Sequence, residues 1–253
     1  MLLHKLKPET AILIKKYGYF IYLMPLLLPA TSYYWGHSSG LHGLLPWLGV
    51  LVVYLVVPIL DLLLGKDPVN PDDQVASDLS HQQFYRYLTL SALPLYFICL
   101  FTTGYFLLSW TALTVLGQIG YVISMGVVGG IIAINVGHEL IHKNSKLEQV
   151  SGGLLLSLVS YAGLKIEHIY GHHVHVSTPE DASSSRYNQS LYSFLPNAYY
   201  RNFLNAWKLQ KVRLAKKGLG LFSAQNELIW YYLNSLAMSL LMGAMFHFLD
   251  SHF

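Results

Sequence analysis

The chain has 253 residues, of which 53% are hydrophobic and only 11% charged, where an ordinary soluble domain carries about 25% charged residues. That balance excludes a soluble globular protein and implies one embedded in lipid. A formal net charge of +3 with neutral histidines gives no general basic field, which argues against a nucleic-acid partner, and the single cysteine, Cys99, can form no disulfide within the chain.

The expected fold class is all-α, an integral membrane helical bundle with about five transmembrane helices plus interfacial helices, in one membrane-embedded domain. Residues 17–35 are almost wholly apolar and aromatic and match the roughly 20 residues that cross a bilayer, so no cleavable signal peptide is expected. Pro25 and Pro29 are sites for a kink, tolerated where neighbours satisfy the freed carbonyls. A short uncharged link at 36–40 leads to helix two at 42–64, an antiparallel neighbour. The segment 61–80 holds Asp61, Asp67, Asp72, Asp73 and Asp78 around Pro68 and Pro71, and reads as an ordered surface loop with Asp78 or Ser80 as a cap for the next helix.

Helix three is predicted at 84–108 and helix four at 112–142. Helix four would rise about 45 Å against a hydrocarbon core of about 30 Å, and so carry His138 and His142 past the lipid. Gly126, Gly129 and Gly130 thin its middle, for close helix contact or for a substrate. The apolar stretch 150–166 is short and holds Ser151, Ser157, Ser160 and Lys165. A span there would put the histidine groups on either side of it on opposite membrane faces, so an interfacial or re-entrant helix is expected. The region 177–226, with Arg201, Lys208, Lys211, Arg213, Lys216 and Lys217, suits an amphipathic helix on an anionic membrane face. Helix five follows at 227–249. Trp and Tyr residues at 33–35, 47 and 230–232 fit an interfacial belt. All sixteen Lys and Arg residues fall before helix one, around the loop between helices two and three, or between helices four and five. The positive-inside rule then places the N-terminus and the histidine groups in the cytoplasm and the C-terminus outside.

Six of the twelve histidines lie between positions 138 and 175. On a helix His138 and His142 stand one turn apart, with about 6 Å between β-carbons. His168 and His172 repeat that spacing, and His173 points about 100° further round, towards a second ion or another edge of the first. Imidazoles bind zinc, iron or copper. His138-Glu139-Leu-Ile-His142 is also the zinc hydrolase motif, in which the glutamate is the general base, as in a membrane zinc metalloprotease. A catalytic zinc needs only one further ligand plus water, so five close histidines favour a metal pair such as iron. Glu139 and Glu167 are expected to orient imidazoles by accepting their second N–H, with a solvated charge as the plain alternative. Asp181 and Arg186 either pair with one another or steady His172 and His173. His175 is not expected to be a ligand, and His4, His37, His42 and His81 fall at membrane boundaries.

The runs His-Glu-Leu-Ile-His-Lys at 138–143 and Glu-His-x-x-Gly-His-His-x-x-Val-Ser-Thr-Pro-Glu-Asp-Ala-x-Ser-Ser-Arg, ending at Arg186, resemble the first and second histidine boxes of bacterial membrane alkane 1-monooxygenases. The xylene monooxygenase hydroxylase belongs to the same group, within the wider fatty-acid desaturase and hydroxylase superfamily. The loop Leu-Asp61-Leu-Leu-Leu-Gly65-Lys-Asp67-Pro-Val-Asn70-Pro71 and the run Asn188-Gln-Ser-Leu-Tyr-Ser-Phe194 are similar to it too. The resemblance implies a non-haem di-iron centre held by His138, His142, His168, His172 and His173, with dioxygen as co-substrate. It also implies a terminal methyl of an alkane or alkyl chain as the target, and an electron donor such as rubredoxin with its reductase, at a bacterial inner membrane. Family members continue with a further membrane helix and a third box of His-x-x-His-His type, which these 253 residues do not contain, and neither His247 nor His252 has the spacing to replace it. The expectation is the front part of a longer protein, a shortened and non-catalytic relative, or a chain completed by another polypeptide.

Overall fold

The computed structural model describes residues 8–66, 71, 73–80 and 82–250, and every regular element among them is helical. We number the helices α1 (Glu9–Ser39), α2 (Leu45–Leu64), α3 (Asp73–Ser80), α4 (Gln83–Ser109), α5 (Val115–Ile141), α6 (Lys146–Leu158), α7 (164–175), α8 (Leu191–Ala215) and α9 (Glu227–Asp250). Helices α1, α2, α4, α5 and α9 are long and apolar enough to cross a bilayer, which makes this a multi-pass membrane protein with the five spans expected. The prolines of α1 act over a whole stretch rather than at a point, because Tyr19–Leu27 winds more tightly than an α-helix around Pro25. Asp78 lies inside α3 rather than capping the next helix, and the residue before α4 is Gln82, whose side chain makes no cap. Asp67, Pro68 and Asp72 fall outside the described residues, as do His4 and His81.

The helices group into two compact units, one of residues up to Asn135 together with those from Met242, the other of Val136–Leu241. In the first unit glycines let side chains approach the backbone. A β-carbon at Gly36 would overlap the Trp110 ring, at Gly120 the Trp47 ring, and at Gly49 would lie 2.8 Å from the Ser124 β-carbon. Polar groups inside lipid must find partners within the protein. Accordingly Trp110 Nε1 donates to His42 Nδ1 at 2.9 Å, the Tyr121 hydroxyl to the Pro29 carbonyl at 3.0 Å and the Ser124 hydroxyl to the Pro46 carbonyl at 2.8 Å. Tyr33 stacks on Phe106 and Trp47 packs on Gly120, so these two rings are turned inward, whereas Tyr34, Trp35 and Trp230 remain exposed as a belt would require. Gly126 and Gly130 have no atom within 4 Å of an added β-carbon and border open space rather than a helix crossing. From Tyr54 to Gly65, α2 is exposed on every face.

The second unit carries the histidines. With 13 residues α6 rises about 20 Å, too short for a core of about 30 Å, in line with the non-spanning segment expected there. It ends at Leu158, Ser160 takes a left-handed turn at φ 57°, and α7 starts afresh at Leu164. The end of α5 crosses α6 at two facing glycines: a β-carbon on Gly152 would lie 2.7 Å from the Gly137 carbonyl oxygen and 2.9 Å from Ile141 Cγ2. The fully buried Ile166, Ala206 and Leu228 join α7, α8 and α9. The basic helix expected within 177–226 is α8, exposing Lys208 and Lys211, but its buried stripe of Ala198, Asn202, Ala206, Gln210 and Leu214 includes two polar residues. Asn202 donates to the Tyr161 hydroxyl at 2.9 Å, and Gln210 accepts from Arg213 at 2.7 Å.

Because the space at Gly152 is filled by backbone, Gly152→Ala should destabilise the second unit by about 1–3 kcal/mol. Gly126→Ala, into open space, should leave the melting temperature unchanged. Thermal unfolding of the two variants in detergent checks both, and equal melting temperatures would contradict the tight crossing.

Candidate metal centre

Two helix ends bring four imidazoles together. His138 lies in the last turns of α5 and His142 one residue beyond it, where the His142 N–H bonds back to the Glu139 carbonyl at 3.3 Å. Their Nε2 atoms are 3.3 Å apart, as the four-residue spacing requires. The second group departs from that simple pattern. His168–His172 form a π-helical turn, whose bonds reach five residues along rather than four. The wider turn aligns His168 with His173, with Nε2 atoms 3.0 Å apart, and rotates His172 out of the pair. The expectation of His168 and His172 as facing partners is therefore corrected: the His172 ring stacks on that of His168 at 5.2 Å, and its Nδ1 lies 2.9 Å from Asp181 Oδ2.

His168 Nε2 stands at the focus, 2.6 Å from His138 Nε2, 3.1 Å from His142 Nε2 and 3.0 Å from His173 Nε2. A ring nitrogen carries one proton or one lone pair, so no choice of tautomers satisfies three such contacts at once. An ion among them does. Imidazole nitrogens bound to one metal at about 2.0–2.1 Å stand about 2.8–3.4 Å apart, and three of these four separations fall in that range with the fourth just below it. The donor set therefore fits a metal, and His138, His142 and His168 each offer a ligand atom within 4.8 Å of the others.

The local field keeps His168 and His142 from taking up a second proton. Burial first, then the neighbouring His138, His173, His142 and His172, push the His168 pKa down to about 3. His142 is lowered as well, by burial and by His138 and His173, against a smaller opposing effect of Glu139. Asp181 is 1% exposed. Burial alone would raise its pKa, but hydrogen bonds from the Ser184 hydroxyl, the Ser183 N–H and His172 hold it below the usual carboxylate range. As an anion it fixes a proton on His172 Nδ1 and leaves Nε2 as that ring's ligand atom.

The other expected residues divide. Asp181 steadies His172, whereas Arg186 is exposed and its N–H donates to Gln189 Oε1 at 3.0 Å. Glu139 pairs with Lys143 at 2.5 Å on an exposed face, with no hydrogen bond to a histidine, so the general base of the zinc hydrolase motif is not in place. Glu167 is 1% exposed and neither carboxyl oxygen accepts a hydrogen bond. Burial and then Asp181 raise its pKa, and the nearby Asn205 amide counters this in part without completing a bond of normal geometry. His175 stands outside the converging group, its carbonyl accepting from Thr178. Lys165, Glu227 and Tyr231 form a polar cluster behind α7, a grouping that their positions in the sequence do not reveal. The available signal was a lysine in an otherwise apolar run, since lysine is almost never fully buried without a partner. A cavity of about 180 Å³ opens beside His142, lined by Lys143, Gln149, Lys165, Tyr170 and Glu227. Ile141, Ile166 and Ile169 line it too, so polar groups face the cavity alongside an apolar edge.

Helices that cross a membrane and end in a cluster of convergent imidazoles define a membrane protein able to hold metal. Comparison with known proteins agrees: a fatty acid desaturase profile matches residues 113–253, more than half of the sequence, and the chain belongs to that family. It is 51% identical over 220 residues to alkane 1-monooxygenase 2 of Pseudomonas aeruginosa, covering 87% of this chain and 58% of that one. It is 47% identical over 247 residues to alkane 1-monooxygenase 1 of the same organism, covering 97% and 65%. With alkane 1-monooxygenase 2 of Alcanivorax borkumensis the identity is 48% over 228 residues, covering 89% and 59%. The chain thus spans about three fifths of the length of these relatives.

Asp181→Asn keeps the size of the side chain but removes the charge that orders His172. It is expected to leave the fold intact and to weaken metal binding about 10–100-fold, measured by competition with a chromophoric chelator. Unchanged affinity would show that the His172 ring needs no such support.

Proposed function

We propose that this chain carries the iron-binding part of a membrane monooxygenase that inserts one oxygen atom of dioxygen into a C–H bond of an alkane or alkyl chain, at a terminal methyl. The observation that carries the reading is the convergence of the His138, His142 and His168 Nε2 atoms at separations of 2.6–3.3 Å, with His173 Nε2 3.0 Å from that of His168, an arrangement that a cation reconciles. The names of the relatives supply the reaction class. The balance is RH + O₂ + 2e⁻ + 2H⁺ → ROH + H₂O, so a reduced electron donor is required, and rubredoxin with its reductase fits that role.

His138, His142, His168 and His173 would hold one iron, and His172, turned aside by Asp181, is available to a second. Bound iron would supply the activation of dioxygen that an unactivated C–H bond requires. The protein's own part is different. Neutral imidazoles leave the cation's charge uncancelled, and Asp181 fixes the tautomer and direction of one ring. An apolar substrate reaches the protein dissolved in the bilayer, and the open space at Gly126 and Gly130 is where α5 is thin enough to admit a chain. The distribution of the sixteen basic residues supports a cytoplasmic side for the N-terminus and the histidines, in a bacterial inner membrane on this reading. We read the chain as belonging to one membrane-embedded desaturase-like domain. The zinc protease reading loses its base, because Glu139 is engaged with Lys143.

Metal analysis of the purified chain tests the proposal. A pair of iron ions per chain is expected, lost in His138→Ala and diminished in His172→Ala. A chain that takes up no iron, or a lone zinc accompanied by peptidase activity, would overturn it.

A further inference from the structure

Lys165 opens the helix that carries His168, His172 and His173, and it points inward: the residue is 5% exposed. Its Nζ donates to Glu227 Oε2 at 2.6 Å and to the Tyr231 hydroxyl at 2.8 Å, both on α9, and lies 4.8 Å from the centre of the Tyr231 ring. The other Glu227 oxygen is 3.5 Å from Arg213 Nη1 of α8. Arg213 Nη2 donates in turn to the Tyr170 hydroxyl at 3.0 Å, back on α7. One acid at the start of α9 therefore grips α7 on both sides of His168. Burial disfavours the Lys165 ammonium, but Glu227 and the two hydrogen bonds outweigh it and leave the group more basic than usual, so Lys165 stays charged.

A buried ion pair adds little net stability over apolar residues of the same shape, and its best-attested use is to select one register. Such a selector is needed here. The apolar contact of Ile166 with Ala206 and Leu228 is non-directional and tolerates rotation of α7 about its axis. Rotation by one residue, about 100°, would break the Lys165 pair and carry His168 away from His138. The π turn sharpens the need, since a wide turn can relax to the ordinary repeat unless its surroundings hold it.

We propose that Lys165 and Glu227 are positioning residues whose ion pair fixes the rotation of α7 and so holds His168 and His173 Nε2 against His138 and His142. The proposal rests on the metal-centre reading and adds to it residues that touch neither metal nor substrate. The test uses the full chain in detergent titrated with Co(II), reading affinity by chelator competition and ligand geometry by the visible ligand-field spectrum. Glu227→Gln and Lys165→Met should each weaken Co(II) binding about 10–100-fold and shift the spectrum. Lys165→Arg should stay near the parent, and the exchange of Lys165→Glu with Glu227→Lys, which also sets the new lysine near Arg213, should recover part of the affinity lost in the single variants. If a single variant does not fold, the arginine variant and the exchange decide the matter. Single variants with parental affinity and spectrum overturn the proposal. So does a loss that neither the arginine variant nor the exchange restores, which would mean packing rather than pairing. A parent chain that binds no Co(II) overturns the metal centre and this inference together, whereas a parent that binds, with unperturbed variants, removes the inference alone.

Discussion

Four nitrogens with their lone pairs directed at one small volume repel each other unless something positive sits among them, and much of the second unit is arranged to impose that crowding. Two helix ends must meet at fixed phase and fixed separation. The separation comes from the glycine crossing of α5 and α6, where Gly137 and Gly152 bring backbone against backbone. The phase comes from polar contacts behind the rings, Asp181 on one side and the Lys165–Glu227 pair on the other. Apolar burial by itself would collapse the helices without specifying which way the histidines face.

The large-scale plan was legible because lipid leaves few options. A run of about 20 apolar residues between polar segments has one stable conformation across a bilayer, and the five spans fall where hydropathy puts them, although the first runs Glu9–Ser39 and so begins eight residues before the expected start at 17. The reasoning that put both histidine groups on one side was equally physical, since a short segment with an interior lysine makes a poor span. The finer errors came from local ambiguity. In His-x-x-x-His-His both the four- and the five-residue spacings are present, and nothing within those residues says which helical repeat will prevail; distant contacts decide it. An aromatic ring suits a membrane boundary, but it suits interior packing as well: Trp47 and Tyr231 lie against Gly120 and Gly153, and Tyr33 stacks on Phe106. Lys165 was visible and its partner was not, because Glu227 lies 62 positions away at the start of another helix.

The two units handle buried polarity in different ways. In the first, single hydroxyl or indole donors each satisfy one carbonyl or ring nitrogen, which lipid could not do. In the second, charges are brought inside and neutralised in networks, with Glu167 left as a carboxyl that accepts no hydrogen bond.

The wide turn at 168–172 lets adjacent histidines take separate duties, one ring joining the cluster and its neighbour answering to Asp181. Under an ordinary repeat any change of helix angle would move both rings in step. With the extra width, substitutions around Asp181, Ser183 and Ser184 act on one imidazole alone. Evolution thus has a local handle on a single imidazole, and can retune its basicity without disturbing the geometry of the other four rings.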